Sequence, residues 1–377
     1  MRSPVVVVAL AALAACSGAR PRAPIPPDLR EAPGPEGFNT RAFVDEAASE
    51  VVVWAGPFRV APTAGGHAHG PAGSADERHD GVEHDGARSP VIPIAWPADG
   101  YIRGFSLELR DGAGNPLPRA LMHHLIAVNF DRRMFAYPVA ERLFGIGTET
   151  GDQELPKTVG VPLEAGQNLG FYVMWDNATG EAVEDVYVRL AMPWTPAGEA
   201  GDIVEVMPLY VDVNSGIGTT NAYDLEPGRS VRSWEFEPPV SGRILIASGH
   251  LHDFGRVVRL EDAETDEVLL EIESELDAEG LIEDIDIEVL GVWYGGLRLE
   301  RGHPYRIVGV YDSPLSETVP MGAMAHIVGI FAPDRPESWP AADPTSEIWA
   351  LDLSGLPRQT AVMTQGREAL RREGGTP

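Results

Sequence analysis

The stretch Ser248-Gly249-His250-Leu251-His252-Asp253-Phe254-Gly255-Arg256-Val257-Val258 joins two apolar segments in the second half of this 377-residue chain. Residues 243–247 before it and 257–260 within and after it have the composition of buried strands. Side chains alternate between the two faces of a strand, so His250 and His252 leave the same face. Their spacing suits one metal ion, and imidazole suits copper and zinc. The alternative is a pair of surface histidines at a strand end.

A methionine-rich stretch, Pro320-Met321-Gly322-Ala323-Met324-Ala325-His326-Ile327-Val328, follows about seventy residues later and predicts one further strand. A thioether is a soft donor that selects copper over zinc. A His-x-His pair with a methionine from a neighbouring strand therefore predicts a copper site. Met324 and Met321 are both candidates for the third donor. We expect His326 and His303 to be ordinary structural histidines.

Two adjacent histidines occur in the first half, within Leu121-Met122-His123-His124-Leu125-Ile126-Ala127-Val128. Imidazoles in an apolar strand are costly to bury without polar partners. Adjacent residues of a regular strand point to opposite faces, so His123 and His124 could bind one metal only at a bulge or a strand end. Because the motifs fall in two halves of similar length, we expect one metal in each of two β domains.

The order of these motifs resembles that of the copper type II, ascorbate-dependent monooxygenases, which include peptidylglycine alpha-hydroxylating monooxygenase and dopamine beta-monooxygenase. The resemblance covers roughly residues 90–335 and includes the run His-x-His-x-x-Gly-Arg-x-Val. It implies an all-β fold of two tandem antiparallel jelly-roll-like β-sandwich domains, with two copper ions, one per domain. The implied copper ligands are His123, His124 and Met174 in the first domain and His250, His252 and Met324 in the second.

The resemblance implies that the copper at His250, His252 and Met324 is catalytic. That site would hydroxylate a C–H bond of an unknown small substrate with O2, and the first copper would pass on an electron from ascorbate or another reductant. The alternatives are a copper-binding envelope lipoprotein that stores or delivers copper, and a structural β-sandwich lipoprotein with a degenerate site.

Two positions depart from the family pattern. Met174 stands where the family has the third histidine of the first copper, and it is either a ligand that favours Cu(I) or ordinary core filler. Ser248 stands where the peptide-hydroxylating members have an arginine that holds the substrate carboxylate. Peptide amidation is therefore not expected.

The chain begins with features of a lipoprotein. Residues 1–15 have a short basic start and an apolar core too short to span a bilayer, as in a signal peptide. Leu13-Ala14-Ala15-Cys16 has the form of a lipobox, and Cys16 is the only cysteine. A lipid anchor on Cys16 would place the protein in the cell envelope. Ser17 favours the outer membrane, facing the periplasm or the surface.

The rest of the chain adds expectations about organisation. Hydrophobic residues make up 44% of the chain, which supports a packed core, and the net charge of -28 would repel nucleic acid. We expect a proline-rich tether over residues 16–50, with a short helix within 40–50. The expected domains cover residues 51–195 and 202–335, before a C-terminal tail over 336–377.

A segment between the first strands is rich in histidine. Residues 65–88 mix histidine with glycine and acidic residues and lack apolar periodicity, which predicts a loop. Such a loop can capture metal or can be a polar insertion with incidental histidines. We expect none of its histidines in a catalytic site; they are His67, His69, His79 and His84.

Overall fold

The architecture is all-β, as the sequence predicts, in a computed structural model. The described residues are 24–30, 37–63, 89–147, 150–214, 221–291 and 295–356. The predicted signal peptide, Cys16 and the four histidines of segment 65–88 lie outside them. Within the described ranges, no helix has the length and apolar character needed to cross a membrane.

The first half consists of strands joined by turns and three short 3-10 helices. The strands are β1 (Asn39–Asp45), β2 (Glu50–Val60), β3 (Ile92–Ala95), β4 (Gly100–Ile102), β5 (Gly104–Arg110), β6 (Pro116–Leu117), β7 (Met122–Arg133), β8 (Ala140–Gly147), β9 (Gln153–Glu154), β10 (Val159–Leu163), β11 (Asn168–Trp175), β12 (Val183–Pro196) and β13 (Val204–Glu205). The 3-10 helices are Pro27–Arg30, Arg119–Leu121 and Ala197–Glu199.

Two sheets enclose the first core. One contains β1-β2-β12-β4-β10-β13 in that order, with β5 beside β12 and with β6 and β9 beside β5. The other has the order β3-β11-β7-β8. Alternation along β12 explains the packing: Val188 and Leu190 face this core, whereas Tyr187 and Ala191 face away from it and pack against Trp54.

The second half has the same character. Its elements are β14 (Met207–Asp212), β15 (Tyr223–Leu225), β16 (Gly228–Phe236), β17 (Gly242–Leu251), β18 (Gly255–Asp262), β19 (Val268–Leu276), β20 (Ile282–Ile285), β21 (Ile287–Val289), β22 (Leu297–Leu299), β23 (Tyr305–Ser313), β24 (Val319–Ala323), β25 (Ala325–Pro333), a 3-10 helix (Pro336–Ser338) and α1 (Glu347–Gly355). The sheets are β14-β25-β17-β21 with β22 beside β17, the pair β15-β24, and β16-β23-β18-β19-β20.

The sheet that contains β17 and β25 is covered on both faces. Ala247 and Ile327 face the core of the second half, whereas Leu245 and Ile330 pack against the core of the first half. The segment that joins the two halves also belongs to a sheet of the first half, because its strand β13 pairs with β10 in parallel. The predicted division into two domains stays a prediction, but the strands that carry His250 and His326 lie where the two halves meet.

The C-terminal segment returns to the first half, as expected for residues 336–356. The Trp339 Nε1–H donates to the carbonyl of Arg133 at 3.0 Å. Further along, α1 buries Trp349 against the outer face of the four-stranded sheet. Asp352 accepts two hydrogen bonds from the Arg142 guanidinium, at 2.6 and 2.7 Å. The remainder of the predicted tail lies outside the described residues.

Two expectations for the N-terminal region are wrong. The helix predicted within residues 40–50 is β1, which pairs with β2 along its whole length, so tertiary pairing overrides local propensity. The predicted tether is partly bound: Ile25 and Leu29 are 4% and 1% exposed. Their apolar side chains cover Trp54 on the outer face of the large sheet, and burying that surface favours contact over a free linker.

The methionine-rich stretch forms two strands rather than the single strand predicted. Met321 has a positive φ of 57°, which bends the backbone within β24. Met324 lies between β24 and β25 and belongs to neither. This break places Met324 immediately before β25, whose first residue, Ala325, pairs with Leu251 at the end of β17.

Candidate metal centres

The first candidate set lies at an irregularity in β7. Met174 of β11 pairs with His124, and the next residue, Trp175, pairs with Met122. The ladder therefore advances two residues on β7 for one on β11 at His123, as in a β-bulge. His123 and His124 are both half-buried, and their ring centroids are 4.1 Å apart. The bulge that joint ligation requires is present.

Met174 lies opposite His124 and not in the core. Its neighbours Val173 and Trp175 are buried in the first core, whereas Met174 is half-buried and points to the other face of β11. Directly opposed residues of an antiparallel pair have Cβ atoms about 5 Å apart. The pairing therefore places Met174 directly opposite His124, the second of the two adjacent histidines.

The surroundings of the first set come from three elements. Tyr172 and Ile126 lie on the same face, one alternation along β11 and β7, and join the apolar cluster under α1. On the other neighbour of β7, Gly147 of β8 pairs with His124 and has no side chain to crowd the imidazole. The set is thus bounded by an apolar cluster along the sheet and by a glycine on the neighbouring strand.

The second candidate set lies at the end of β17. His250 and His252 leave the same face, with ring centroids 5.5 Å apart and planes at 79°. His250 pairs with His326 of β25, and those two rings stack with centroids 4.7 Å apart and planes at 19°. His250 and His252 are half-buried, whereas His326 is 9% exposed.

A buried tyrosine joins the backbones of His252 and Met324. The N–H groups of both residues donate to the Tyr311 hydroxyl oxygen, each at 3.0 Å, and the hydroxyl donates to the Met324 carbonyl. Burial raises the pKa of Tyr311, which keeps that hydroxyl protonated. Met321 instead lies on β24, where its N–H donates to Asp224. Of the two candidate methionines, Met324 is the one beside His252.

The geometry around His326 was not foreseen from the sequence. Its Nδ1 atom is buried, makes no hydrogen bond and lies 3.4 Å from Asp212 Oδ2, a close approach without hydrogen-bond alignment. Its position two residues after Met324 is a sequence signal that could have indicated a place near the candidate set. The expectation of an ordinary structural role is met more simply at His303, whose Nε2 lies 2.7 Å from Asp262.

Ser248 lies one alternation before His250 on β17. Its hydroxyl donates to the carbonyl of Asp286 at 3.0 Å. A neutral hydroxyl already engaged with the backbone offers no positive charge for a carboxylate. The structure thus gives this position a different chemistry from the arginine of the peptide-hydroxylating enzymes.

The donor chemistry of both sets is compatible with copper. In the described part of the chain, no three His, Cys, Asp or Glu side chains come together in a group that could hold a metal ion. Each candidate set instead has two imidazoles, with a methionine on the adjoining strand or at its start. Imidazole with thioether favours copper. Copper at the six candidate ligands stays a prediction.

Comparisons with known proteins give no family assignment. No protein-family model matches the sequence, and no curated protein matches it. Among solved structures, the Faustovirus major capsid protein is 7% identical, with 80% of each chain covered and a TM-score of 0.23. The C-terminal globular domain of an oligosaccharyltransferase from Pyrococcus abyssi is 10% identical, with 62% of this chain and 48% of that chain covered and a TM-score of 0.14.

A structure of infectious bursal disease virus, Gx strain, is 11% identical, with 73% of this chain and 78% of that chain covered and a TM-score of 0.14. Likeness at these scores carries no functional argument. The candidate sets therefore have to be judged on their own residues.

Proposed function

We propose that this protein is a copper-dependent monooxygenase that hydroxylates a C–H bond of a small substrate with O2 and a reductant such as ascorbate. The observation that carries the proposal is the repetition of one donor composition, two imidazoles and a methionine, in the two halves of the chain. Two copper ions fit a reaction in which one site reacts and the other stores an electron.

In the second half, His250, His252 and Met324 would hold the catalytic copper. Copper bound there would supply one-electron chemistry and activation of O2. Tyr311 keeps the backbones of His252 and Met324 together through its hydroxyl. The half-buried state of all three ligand residues leaves the set within reach of a small substrate.

In the first half, His123, His124 and Met174 would hold the electron-storing copper. Met174, in place of a third imidazole, favours the reduced ion, because a thioether is a softer donor. The set would then release its electron less readily than an all-histidine set. The reductant is ascorbate or another small donor that reaches these half-buried side chains.

The substrate is not expected to be recognised through a carboxylate. Ser248, whose hydroxyl donates to the carbonyl of Asp286, offers no positive charge beside His250. A lipid anchor on Cys16 would hold the enzyme at the outer membrane, facing the periplasm or the surface. The strongly acidic chain would not bind nucleic acid.

A second function is compatible with Met174 and with the four histidines of segment 65–88. A copper-binding envelope lipoprotein that stores or delivers Cu(I) would need soft donors and no turnover. Both features suit such a carrier as well as they suit an enzyme.

Copper stoichiometry and oxygen uptake separate these functions. The purified full-length protein should bind two equivalents of Cu(I) at the six ligands, with one lost in His123→Ala and one in His250→Ala. His303→Ala is the control, because His303 pairs with Asp262 and belongs to neither set. Reductant-dependent O2 uptake should disappear in His250→Ala.

Two equivalents without oxygen uptake, tested over a panel of small substrates, would favour the carrier. Retention of both equivalents in His250→Ala would reject the second site. A protein that binds no copper tightly would leave a structural lipoprotein.

A further inference from the structure

The His250 imidazole belongs to a row of groups that crosses three strands. Asp212 of β14 pairs with His326 of β25, and His326 pairs with His250 of β17. The His326 ring is stacked on the His250 ring. The Tyr210 ring also lies against the His326 ring, with centroids 4.8 Å apart. His326 is thus held between an aromatic ring and the imidazole of a candidate ligand.

Asp212 is buried, and both of its carboxylate oxygens accept hydrogen bonds. It is 1% exposed, and its carboxylate accepts from the Tyr210 hydroxyl at 2.7 Å and from the Asn214 N–H at 2.7 Å. The Tyr210 hydroxyl in turn accepts from the Asn221 amide at 2.7 Å. A buried carboxylate held by two donors cannot shift without breaking hydrogen bonds, so Asp212 is a fixed neighbour of His326, which it meets through strand pairing and a 3.4 Å approach without a hydrogen bond.

The backbone of Asp212 is held in place by a residue from the first half of the chain. Tyr137, in the turn between β7 and β8, accepts from the backbone N–H of Asp212 at 2.8 Å and donates to its carbonyl at 3.2 Å. Tyr137 is 3% exposed and stacks on Trp234 with centroids 5.0 Å apart. The backbone of Asp212 is therefore clamped by a residue outside the second half.

We propose that His326 is a positioning residue that orients the His250 imidazole by stacking, and that Tyr137 and Asp212 fix His326 in place. The orientation of a second-half ligand then depends on a first-half residue. The geometry stands without a metal, whereas its effect on copper binding rests on the proposed function. Groups that orient a metal-binding histidine typically change metal affinity about 10- to 100-fold.

The test compares full-length variants that keep or remove each step. His326→Phe keeps a ring to stack on His250, whereas His326→Ala removes it. Tyr137→Phe and Asp212→Asn loosen the support of His326 with little change of volume. Tyr305→Phe is the matched control, because its buried hydroxyl also accepts a backbone N–H, that of Glu300, away from His250.

Two readouts are measured. The first is the NMR signal of the His250 ring in metal-free protein. We expect it to move in His326→Ala, Tyr137→Phe and Asp212→Asn and to stay in place in Tyr305→Phe. The second is Cu(I) affinity at the second set, which should fall about 10- to 100-fold in His326→Ala and recover to within a few-fold of wild type in His326→Phe.

Equal loss of affinity in His326→Phe and His326→Ala would overturn the inference, since it would make His326 a ligand. An unchanged His250 signal in His326→Ala, Tyr137→Phe and Asp212→Asn would overturn it as well. Wild-type protein that binds no copper, with His250 signals that still move, would reject the proposed function and leave the positioning role standing.

Discussion

The two candidate sets have the same donor composition but different backbone constructions. In the first, a bulge brings the adjacent residues His123 and His124 to one side of β7. In the second, His250 lies on β17 and His252 directly follows its last residue, and their rings lie 5.5 Å apart. A pair of histidine donors therefore does not need one fixed spacing in the sequence, because either backbone geometry can bring two imidazoles together.

The sets also differ in how they are supported. Behind the second set are a buried tyrosine, Tyr311, and the stacked His326. Along the face of the first set lies an apolar cluster that includes Trp349 of α1. Polar support fixes orientation through directional hydrogen bonds, whereas apolar cover contributes stability with less directional control. We therefore expect the first set to be sensitive to packing and the second to hydrogen bonding.

The largest expected effect is on the apolar support. Trp349→Ala should lower the free energy of unfolding by about 3–5 kcal/mol, because it removes a buried indole from α1 and the sheet beneath it. Denaturant unfolding measures the loss, and Cu(I) affinity should fall at the first set alone. The matched control is Ile348→Ala on the same helix, an exposed side chain whose removal should change stability by roughly 0.5 kcal/mol or less. An equal loss of Cu(I) affinity at the second set would contradict the expectation that Trp349 supports only the first set.

The methionines test each set separately. Met174→Ala should weaken Cu(I) binding at the first set, and Met324→Ala at the second, each by at least about tenfold, since each removes a soft donor. Competition with a chromophoric Cu(I) chelator measures both affinities. Met321→Ala provides the control within the same stretch and should leave both sets unchanged. A larger loss in Met321→Ala than in Met324→Ala would reassign the third donor.

Removing one hydroxyl tests the polar support. Tyr311→Phe leaves two buried N–H groups without their acceptor, so stability should fall by about 1–3 kcal/mol and copper affinity should fall at the second set only. Tyr223→Phe is the comparison, because the Tyr223 hydroxyl is buried without a hydrogen bond and its ring lies edge-on to Tyr311. Equal stability and equal copper affinity in the two variants would contradict a supporting role for the Tyr311 hydroxyl.

The smallest effect concerns a histidine that belongs to neither set. The hydrogen bond that His303 donates to the Asp262 carboxylate lowers the pKa of Asp262. A carboxyl whose pKa is lowered by folding contributes stability above its unfolded pKa of roughly 4, and this contribution is lost as the pH falls through the folded value. His303→Ala should flatten the dependence of stability on pH below about pH 4 and leave both copper affinities unchanged. An unaltered acid profile would show that the pair does not act on stability.

Much of the fold was predictable because alternation and turn residues are local signals. The apolar segments 243–247 and 257–260 lie within β17 and β18, as their composition predicts. The position of α1 was not predicted, since residues 347–355 bury only two side chains, the apolar Trp349 and the acidic Asp352. Its start does have a local signal: the Ser346 hydroxyl accepts from the Trp349 N–H at 3.1 Å, as an N-cap does.

The sequence indicated which residues form the candidate sets, but it did not indicate how these residues are arranged next to one another. The sequence indicates that His123 and His124 need a bulge, yet only the register against β11 shows where it falls and that Met174 is opposite. His326 stacks on His250 because two strands distant in sequence pair with that register. Long-range register depends on packing over the whole sheet, so it leaves no local signature.

The sheet that packs on both faces also decides how the protein can be divided. Leu245 belongs to the core of the first half, and Ile246, Ile330 and Ala332 pack against that core. Each half made alone would present that apolar contact surface to water, where it promotes aggregation. Two separately translated halves should therefore stay soluble only when produced together in one cell, each shielding the surface that the other exposes.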